Sequence, residues 1–257
     1  MRHSLLRPWQ ATPIAVLIVL LFLLAASAGC EQRRQQDKVP PTKAPAVYRG
    51  TIVAVGDSLT AGKGVAEEQA YPAQLQKKLQ ENGYPYRVIN AGISGETSSG
   101  ALSRINWILT TKPDIVILET GANDGLRGIP TKVIEDNLRQ IIHILRQNKV
   151  VVVLAGMQMV RNLGQQYTEA FAAIYPAVAR QEKVILIPFF LQGVAAAPSL
   201  NQEDTIHPTG QGYQVVVDTV YPYVLQAIKT LLGNRRTTEP QNLEPRKENS
   251  KTASEQP

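Results

Sequence analysis

A serine, a histidine and an aspartate three residues before that histidine are the side chains of this 257-residue chain whose types and spacing could do chemistry. Ser58 stands in TIVAVGDSLT, residues 51–60, where Ile52, Val53 and Val55 read as a buried strand. Gly56, Asp57 and Ser58 then turn the chain at the carboxyl end of that strand, the edge at which ligands and catalytic groups collect in open α/β sheets. A serine delivered there becomes a nucleophile when a base and an oxyanion site accompany it. Taken alone, the same three residues are ordinary turn formers.

The base is found among few candidates, because the chain holds three histidines. His3 lies in the leader, and His143, between Ile142 and Ile144 of a helical stretch, reads as a packing or solvent-edge residue. His207 follows Asp204-Thr205-Ile206 and precedes Pro208. An aspartate at that spacing can accept from one ring nitrogen while the other faces a nucleophile, although in isolation Asp204 reads equally well as a helix-capping acid. Donors for an oxyanion would come from two loops that each follow a strand, Gly92–Thr97 and Thr120–Gly125. In the first, Gly95 lets a backbone N–H approach a ligand; in the second, Asn123 offers an amide. Each loop alone is a common Gly/Asn turn. There is no Cys/His cluster at metal-ligand spacing. The run from Gly56 to Gly64 fails as a phosphate-binding loop, because five residues separate Gly56 from Gly62 and glycine follows Lys63.

The elements that must hold these groups alternate along the chain. Strand-like runs recur at 51–55, 87–91, 114–119, 150–155 and 183–188. Helix-like segments fall at about 70–82, 98–110, 131–148 and 166–181, and a last helix runs from Pro208 to about 232. Continuous apolar strands between amphipathic helices predict a parallel sheet covered on both faces, an α/β domain over 51–233.

Outside the domain the chain changes character. Arg2 and Arg7 precede an uncharged apolar run from Ile14 to Ala28, too short for a typical membrane span and read as a signal peptide over residues 1–29. Ser27-Ala28-Gly29-Cys30 resembles a bacterial lipobox, with Ser27 where an aliphatic residue is usual, and makes Cys30 the expected lipidation site. Cys30 is the only cysteine, so no disulfide can form within one chain. Residues 30–50 read as a flexible tether and 234–257 as a disordered tail. The net charge of +6 and pI near 9.4 arise mainly in the first 50 residues, which carry seven Lys/Arg and two Asp/Glu. Residues 51–233 carry 15 of each sign, so no basic nucleic-acid-binding face is implied. The N-terminal excess suits export and contact with anionic lipid.

GDSL at 56–59, SGET at 94–97, GAND at 121–124 and DTIH at 204–207 resemble, in order, the four blocks of the SGNH (GDSL) hydrolase family. The likeness covers about 51–232. NDGLRG at 123–128, YTEAFAAIYP at 167–176 and IPFF at 187–190 extend it toward the exported thioesterase/lysophospholipase/arylesterase branch. The resemblance implies a single-domain three-layer α/β/α sandwich with a five-stranded parallel sheet, flavodoxin-like in topology. It implies a serine esterase acting on a small acyl-ester or lipid substrate, with Ser58 as nucleophile, His207 as base and Asp204 as its partner. The N–H groups of Ser58 and Gly95 and the amide of Asn123 would form the oxyanion hole. No cofactor or metal is expected. The location implied is extracytoplasmic, periplasmic and membrane-anchored. Leu126, Ile129, Met157, Met159 and Leu163 could line an acyl pocket or simply pack their loops.

Overall fold

The computed structural model describes residues 47–159 and 163–238. The signal peptide, the lipobox with Cys30 and most of the tether and tail lie outside the described residues.

Five strands form one sheet in the order β2-β1-β3-β4-β5, parallel at every pairing: β1 (Gly50–Gly56), β2 (Tyr86–Gly92), β3 (Ile115–Leu118), β4 (Val151–Ala155) and β5 (Ile185–Ile187). This is the flavodoxin-like order, and the topology reverses between β1 and β3, where a crevice opens at the carboxyl ends of the strands. All four residues of β3 are buried, as is β1 from Ile52 onward, which is why both read as unbroken apolar runs rather than alternating ones.

The helices are α1 (Ser58–Ala61), α2 (Tyr71–Glu81), α3 (Ser98–Ser103), α4 (Ile105–Thr110), α5 (Ala122–Leu126), α6 (Thr131–Gln147), α7 (Gln165–Glu182) and α8 (Gly210–Thr238). Helix α2 packs on β2 and on α8, which crosses β3, β4 and β5; α6 and α7 pack together and against β4. Helix α6 shows how sequence produces this: Ile134, Leu138, Ile141, Ile142 and Leu145 recur at helical spacing and are fully buried, while His143 on the far side is exposed beside Gln147. By length and composition Gly210–Arg236 of α8 could cross a membrane, but its apolar residues Val216, Val220, Val224 and Ile228 are buried in the core.

Three expectations shift. The predicted helix over 98–110 is two helices, because Arg104 leaves helical geometry between them and bonds Glu96 and the Ala91 carbonyl. The folded part begins before 51: Gly50 opens β1 against Tyr86, and the Arg49 N–H donates to Pro85 O. At the other end α8 continues to Thr238, so residues 234–238 are helical rather than tail, and Arg235 reaches Asp114 at 2.5 Å.

Candidate active site

The first residue of interest sits on a turn with no slack. Asp57 caps α1, its Oδ1 accepting the Leu59 N–H at 2.9 Å, which sets Ser58 at the first helical position. The Gly56 backbone is pressed between two neighbours: a Cβ there would stand 2.1 Å from Thr60 Oγ1 and 2.4 Å from Glu119 Oε2. Only glycine leaves room for that approach. The adjoining loops are stitched to the same turn, Ile93 N–H to Gly56 O at 2.9 Å and Glu119 N–H to Val55 O at 2.8 Å.

The loop before α8 brings a ring to that serine across 149 residues of sequence. His207 Nε2 lies 2.8 Å from Ser58 Oγ, and its Nδ1 lies 2.6 Å from Asp204 Oδ2. Asp204 Oδ1 also accepts the N–H groups of Ile206 and His207, both at 3.0 Å. Those two N–H bonds, together with the ring, hold the Asp204 carboxyl well below the usual carboxylate range. An ionised acceptor at Nδ1 keeps the proton there and leaves Nε2 to accept from the serine hydroxyl. The loop is closed by Gln202 N–H to His207 O at 2.8 Å and by a bridge between Asn201 and Pro208. Thr205 takes φ +60°, a left-handed conformation costly for a β-branched residue, and it carries the chain from Asp204 round to His207.

Two further loops flank the serine. Gly95, at φ +80°, is exposed, and neither its N–H nor that of Ser58 has a hydrogen-bond partner among the described residues. Its carbonyl accepts from Arg127 Nη2 at 2.9 Å. Asn123, in the first turn of α5, donates from Nδ2 to Asp57 Oδ2 at 3.0 Å. The two loops are clamped to each other by the buried Asp124, which accepts the Ser98 N–H at 2.7 Å and the Ser98 hydroxyl at 2.6 Å. Asn137 of α6 then donates to Ser98 Oγ and Ser99 Oγ, both at 2.9 Å.

Beneath the turn lies a pair of buried acids that sequence reading missed as a unit. Glu119, directly after β3, is 0 % exposed; its Oε2 accepts from Thr60 Oγ1 at 2.8 Å and from the Asp57 N–H at 3.3 Å. Burial, with Asp57 beside it, pushes the Glu119 carboxyl well above the ordinary value. Burial also lifts Asp57 from 3.8 to about 6, against the opposing pull of the Leu59 N–H, His207 and Asn123. The available signal was an acid placed directly after the apolar run Ile115–Leu118, at the carboxyl edge of the sheet.

Every predicted site residue within the described part therefore lies at this edge. Of the residues offered as a pocket lining, Met157 is buried in the core, and Met159 and Ile129 pack against it, whereas Leu126 is 49 % exposed. Ile93 and Ile206, neighbours of the Gly95 and His207 positions, are each 48 % exposed. Among the described residues no group of three or more His, Cys, Asp or Glu is placed to hold a metal ion. A hydroxyl bonded to an imidazole that is itself bonded to a carboxylate can pass its proton to the ring as the oxygen attacks an electrophile.

A model of the GDSL-like lipase/acylhydrolase family matches residues 54–215. The chain is 43 % identical over 173 residues to esterase TesA of Pseudomonas aeruginosa, an alignment spanning 67 % of this chain and 86 % of that protein. It is 38 % identical over 169 residues to thioesterase 1/protease 1/lysophospholipase L1 of Escherichia coli strain K12, spanning 65 % and 80 % of the two chains. The fold superposes on the crystal structure of the psychrotrophic esterase EstA from Pseudoalteromonas sp., inhibited by monoethylphosphonate, with TM-score 0.66 and 32 % identity over 72 % of this chain and all of that one. The chain belongs to the GDSL-like lipase/acylhydrolase family and is an SGNH carboxylic-ester hydrolase.

Proposed function

We propose that the chain hydrolyses acyl esters, thioesters or lysophospholipids through a Ser58–His207–Asp204 triad and an acyl-enzyme. The observation that carries this reading is the unbroken chain from Ser58 Oγ to His207 Nε2 at 2.8 Å and from Nδ1 to Asp204 Oδ2 at 2.6 Å. Ser58 Oγ bonds the carbonyl carbon while its proton moves to Nε2. The tetrahedral intermediate collapses, the bond to the leaving alcohol or thiol breaks, and Nε2 returns the proton to that group. Water then repeats the sequence on the acyl-serine, releasing the acid and restoring the hydroxyl. Asp204 keeps the tautomer and stabilises the ring cation. The oxyanion takes the N–H groups of Ser58 and Gly95 and the Asn123 amide, each donor contributing on the order of 3 kcal/mol in the transition state. The names of the relatives, esterase and thioesterase/lysophospholipase, support the substrate range.

Cys30 is the proposed lipid attachment point, placing the enzyme on the extracytoplasmic side of a membrane, with the polar stretch between it and β1 as its tether. The test of the chemistry is labelling with an organophosphonate. Wild type should carry one label, on Ser58, and Ser58→Ala none; label on Ser94 or Ser98 instead would overturn the assignment. The phosphonate-inhibited crystal structure of the EstA relative makes this class of probe the natural choice.

A further inference from the structure

Asp57 is held at its N–H and at both carboxylate oxygens. Its N–H donates to Glu119 Oε2 at 3.3 Å, its Oδ1 accepts from Leu59 N–H at 2.9 Å, and its Oδ2 accepts from Asn123 Nδ2 at 3.0 Å. The last bond bears on the reaction. An asparagine amide presents a donor edge and an acceptor edge of nearly the same shape, and its last torsion has a broad two-fold preference. An unrestrained Asn123 would offer its carbonyl to a developing oxyanion about as readily as its N–H. An ionised carboxylate can only accept, so it pairs with Nδ2 and rejects Oδ1.

We propose that Asp57 is a positioning residue for the oxyanion hole: its carboxylate selects the Asn123 rotamer in which one N–H is bonded to Oδ2 and the second is left to face the oxyanion. This rests on the reading of Asn123 as an oxyanion donor. It also explains why the acid is buried beside the nucleophile, at 1 % exposure, with no cation paired to it among the described residues. The titratable groups that face it are Glu119 from the end of β3, His207 from the loop before α8, Glu96 from the loop after β2, and the buried hydroxyls of Tyr71 on α2, Tyr175 on α7 and Tyr213 on α8. Both carboxylate oxygens of Asp57 accept an N–H, whereas Glu119 Oε1 has no partner among the described residues, so Asp57 is the member of the buried pair built to carry the charge. When Asp57 takes a proton, near pH 6, Oδ2 becomes able to donate and Asn123 is free to turn its carbonyl inward. The advantage that Asn123 gives the enzyme should therefore shrink as Asp57 takes its proton.

The test is steady-state hydrolysis of p-nitrophenyl acetate by the full chain between pH 4.5 and 8, for wild type, Asn123→Ala, Asp57→Asn and the double variant. Asn123→Ala and Asp57→Asn should each lower kcat by about 100-fold or more with KM little changed. The double variant should lie within about threefold of Asn123→Ala, because both changes remove one interaction. The ratio of kcat/KM in wild type to that in Asn123→Ala should fall as pH drops through about 6, a comparison that needs no Asp57 variant to fold. Asp57→Asn turning over within threefold of wild type, while Asn123→Ala is crippled, overturns the proposal alone. So do losses that multiply in the double variant, or a ratio of wild type to Asn123→Ala that does not change with pH. Full activity in Asn123→Ala overturns the proposal together with the oxyanion reading beneath it.

Discussion

The carboxyl of Glu119 fills the space that a side chain at residue 56 would need, its Oε2 standing 2.4 Å from where a Gly56 Cβ would be. The glycine of the motif is thus matched to a residue 63 positions later. Gly56→Ala would also bring its Cβ within 2.6 Å of the Glu119 carbonyl, and backbone cannot swing aside. We expect a loss of about 1–3 kcal/mol from overpacking, with a fall in kcat because Ser58 rides on the displaced turn. Glu119→Gln keeps an acceptor for Thr60 and Asp57 and should melt near wild type. Glu119→Ala strands both donors beside a void and should cost about 2–4 kcal/mol. Chemical denaturation of the three variants distinguishes these outcomes; an unperturbed Gly56→Ala would show that the contact is not tight.

Much of this was legible from local pattern. Strand runs gave all five strands, and helical spacing gave α2, α6 and α7 to within about two residues at each end, the margin usual for element boundaries. The motif blocks located Ser58, Gly95, Asn123, Asp204 and His207 at one edge. What escaped depends on partners distant in sequence or on elements too short for a period. Helices α1 and α5 span four and five residues, hardly more than one turn each. The break at Arg104 is invisible to periodicity, since apolar spacing resumes at Ile105 and Ile108, and the carboxylate that Arg104 bonds lies eight residues back in the loop after β2. Asp57 read as a turn former; its bond to Asn123 spans 66 positions. The end of α8 was missed because Arg235 and Arg236 look like tail, while Asp114, which holds Arg235, lies 121 residues back.

The buried acids should shape stability against pH. Asp57 rises from 3.8 unfolded to about 6 folded, so the native state retains a proton that the unfolded chain has lost. Its contribution is complete below about pH 4, declines as pH climbs toward 6 and is flat beyond, a change on the order of 3 kcal/mol. Glu119 acts in the same direction. Asp204, held low, works oppositely: its contribution is present above its ordinary value of 3.8 and disappears only as pH falls below that. Urea midpoints measured from pH 4 to 7 should show Asp57→Asn gaining on wild type as pH rises. Parallel curves for the two proteins would contradict the shift.

Asp204 acts on rate through the ring it orients. In Asp204→Asn the Ile206 and His207 N–H groups keep the amide oxygen, so the NH2 faces Nδ1 and donates to it, which leaves the ring proton on Nε2 where it cannot accept from Ser58, and the charge that stabilises the imidazolium is lost. We expect kcat to fall roughly 10^3- to 10^4-fold with KM near wild type. His207→Ala should cost nearly as much as Ser58→Ala, and the pair together little more, because they act as one unit. A Ser58→Ala/His207→Ala double variant far below either single one would show that the residues work independently.

The anchor assigned to Cys30 gives an expectation separable from catalysis. In a bacterial host the chain should fractionate with membranes and incorporate labelled fatty acid. Cys30→Ser should abolish that label while leaving ester hydrolysis unchanged, since β1 opens at Gly50 and the triad residues all lie beyond it. Acylation that survives in Cys30→Ser would remove the lipobox reading.

The loop that carries Gly95 is held by an ion pair with little access to water. Arg104 Nε and Nη2 reach Glu96 Oε1 and Oε2, both at 2.6 Å, and Nη2 also donates to Ala91 O at 2.7 Å; the two side chains are 13 % and 7 % exposed. Two parallel bonds to one carboxylate fix Glu96, and the third ties it to the end of β2, so the backbone at 93–97 has little freedom. Arg104→Ala leaves the Glu96 carboxylate buried without a partner and should cost about 3 kcal/mol or more. Arg104→Lys supplies charge without the planar fork and should recover only part of that loss. If the cost comes from the stranded carboxylate, Arg104→Ala/Glu96→Gln should be more stable than Arg104→Ala alone. Its kcat should nonetheless stay low, because the loop that presents the Gly95 N–H is no longer braced. A double variant with restored stability and full turnover would show that the brace serves the fold and not the oxyanion site.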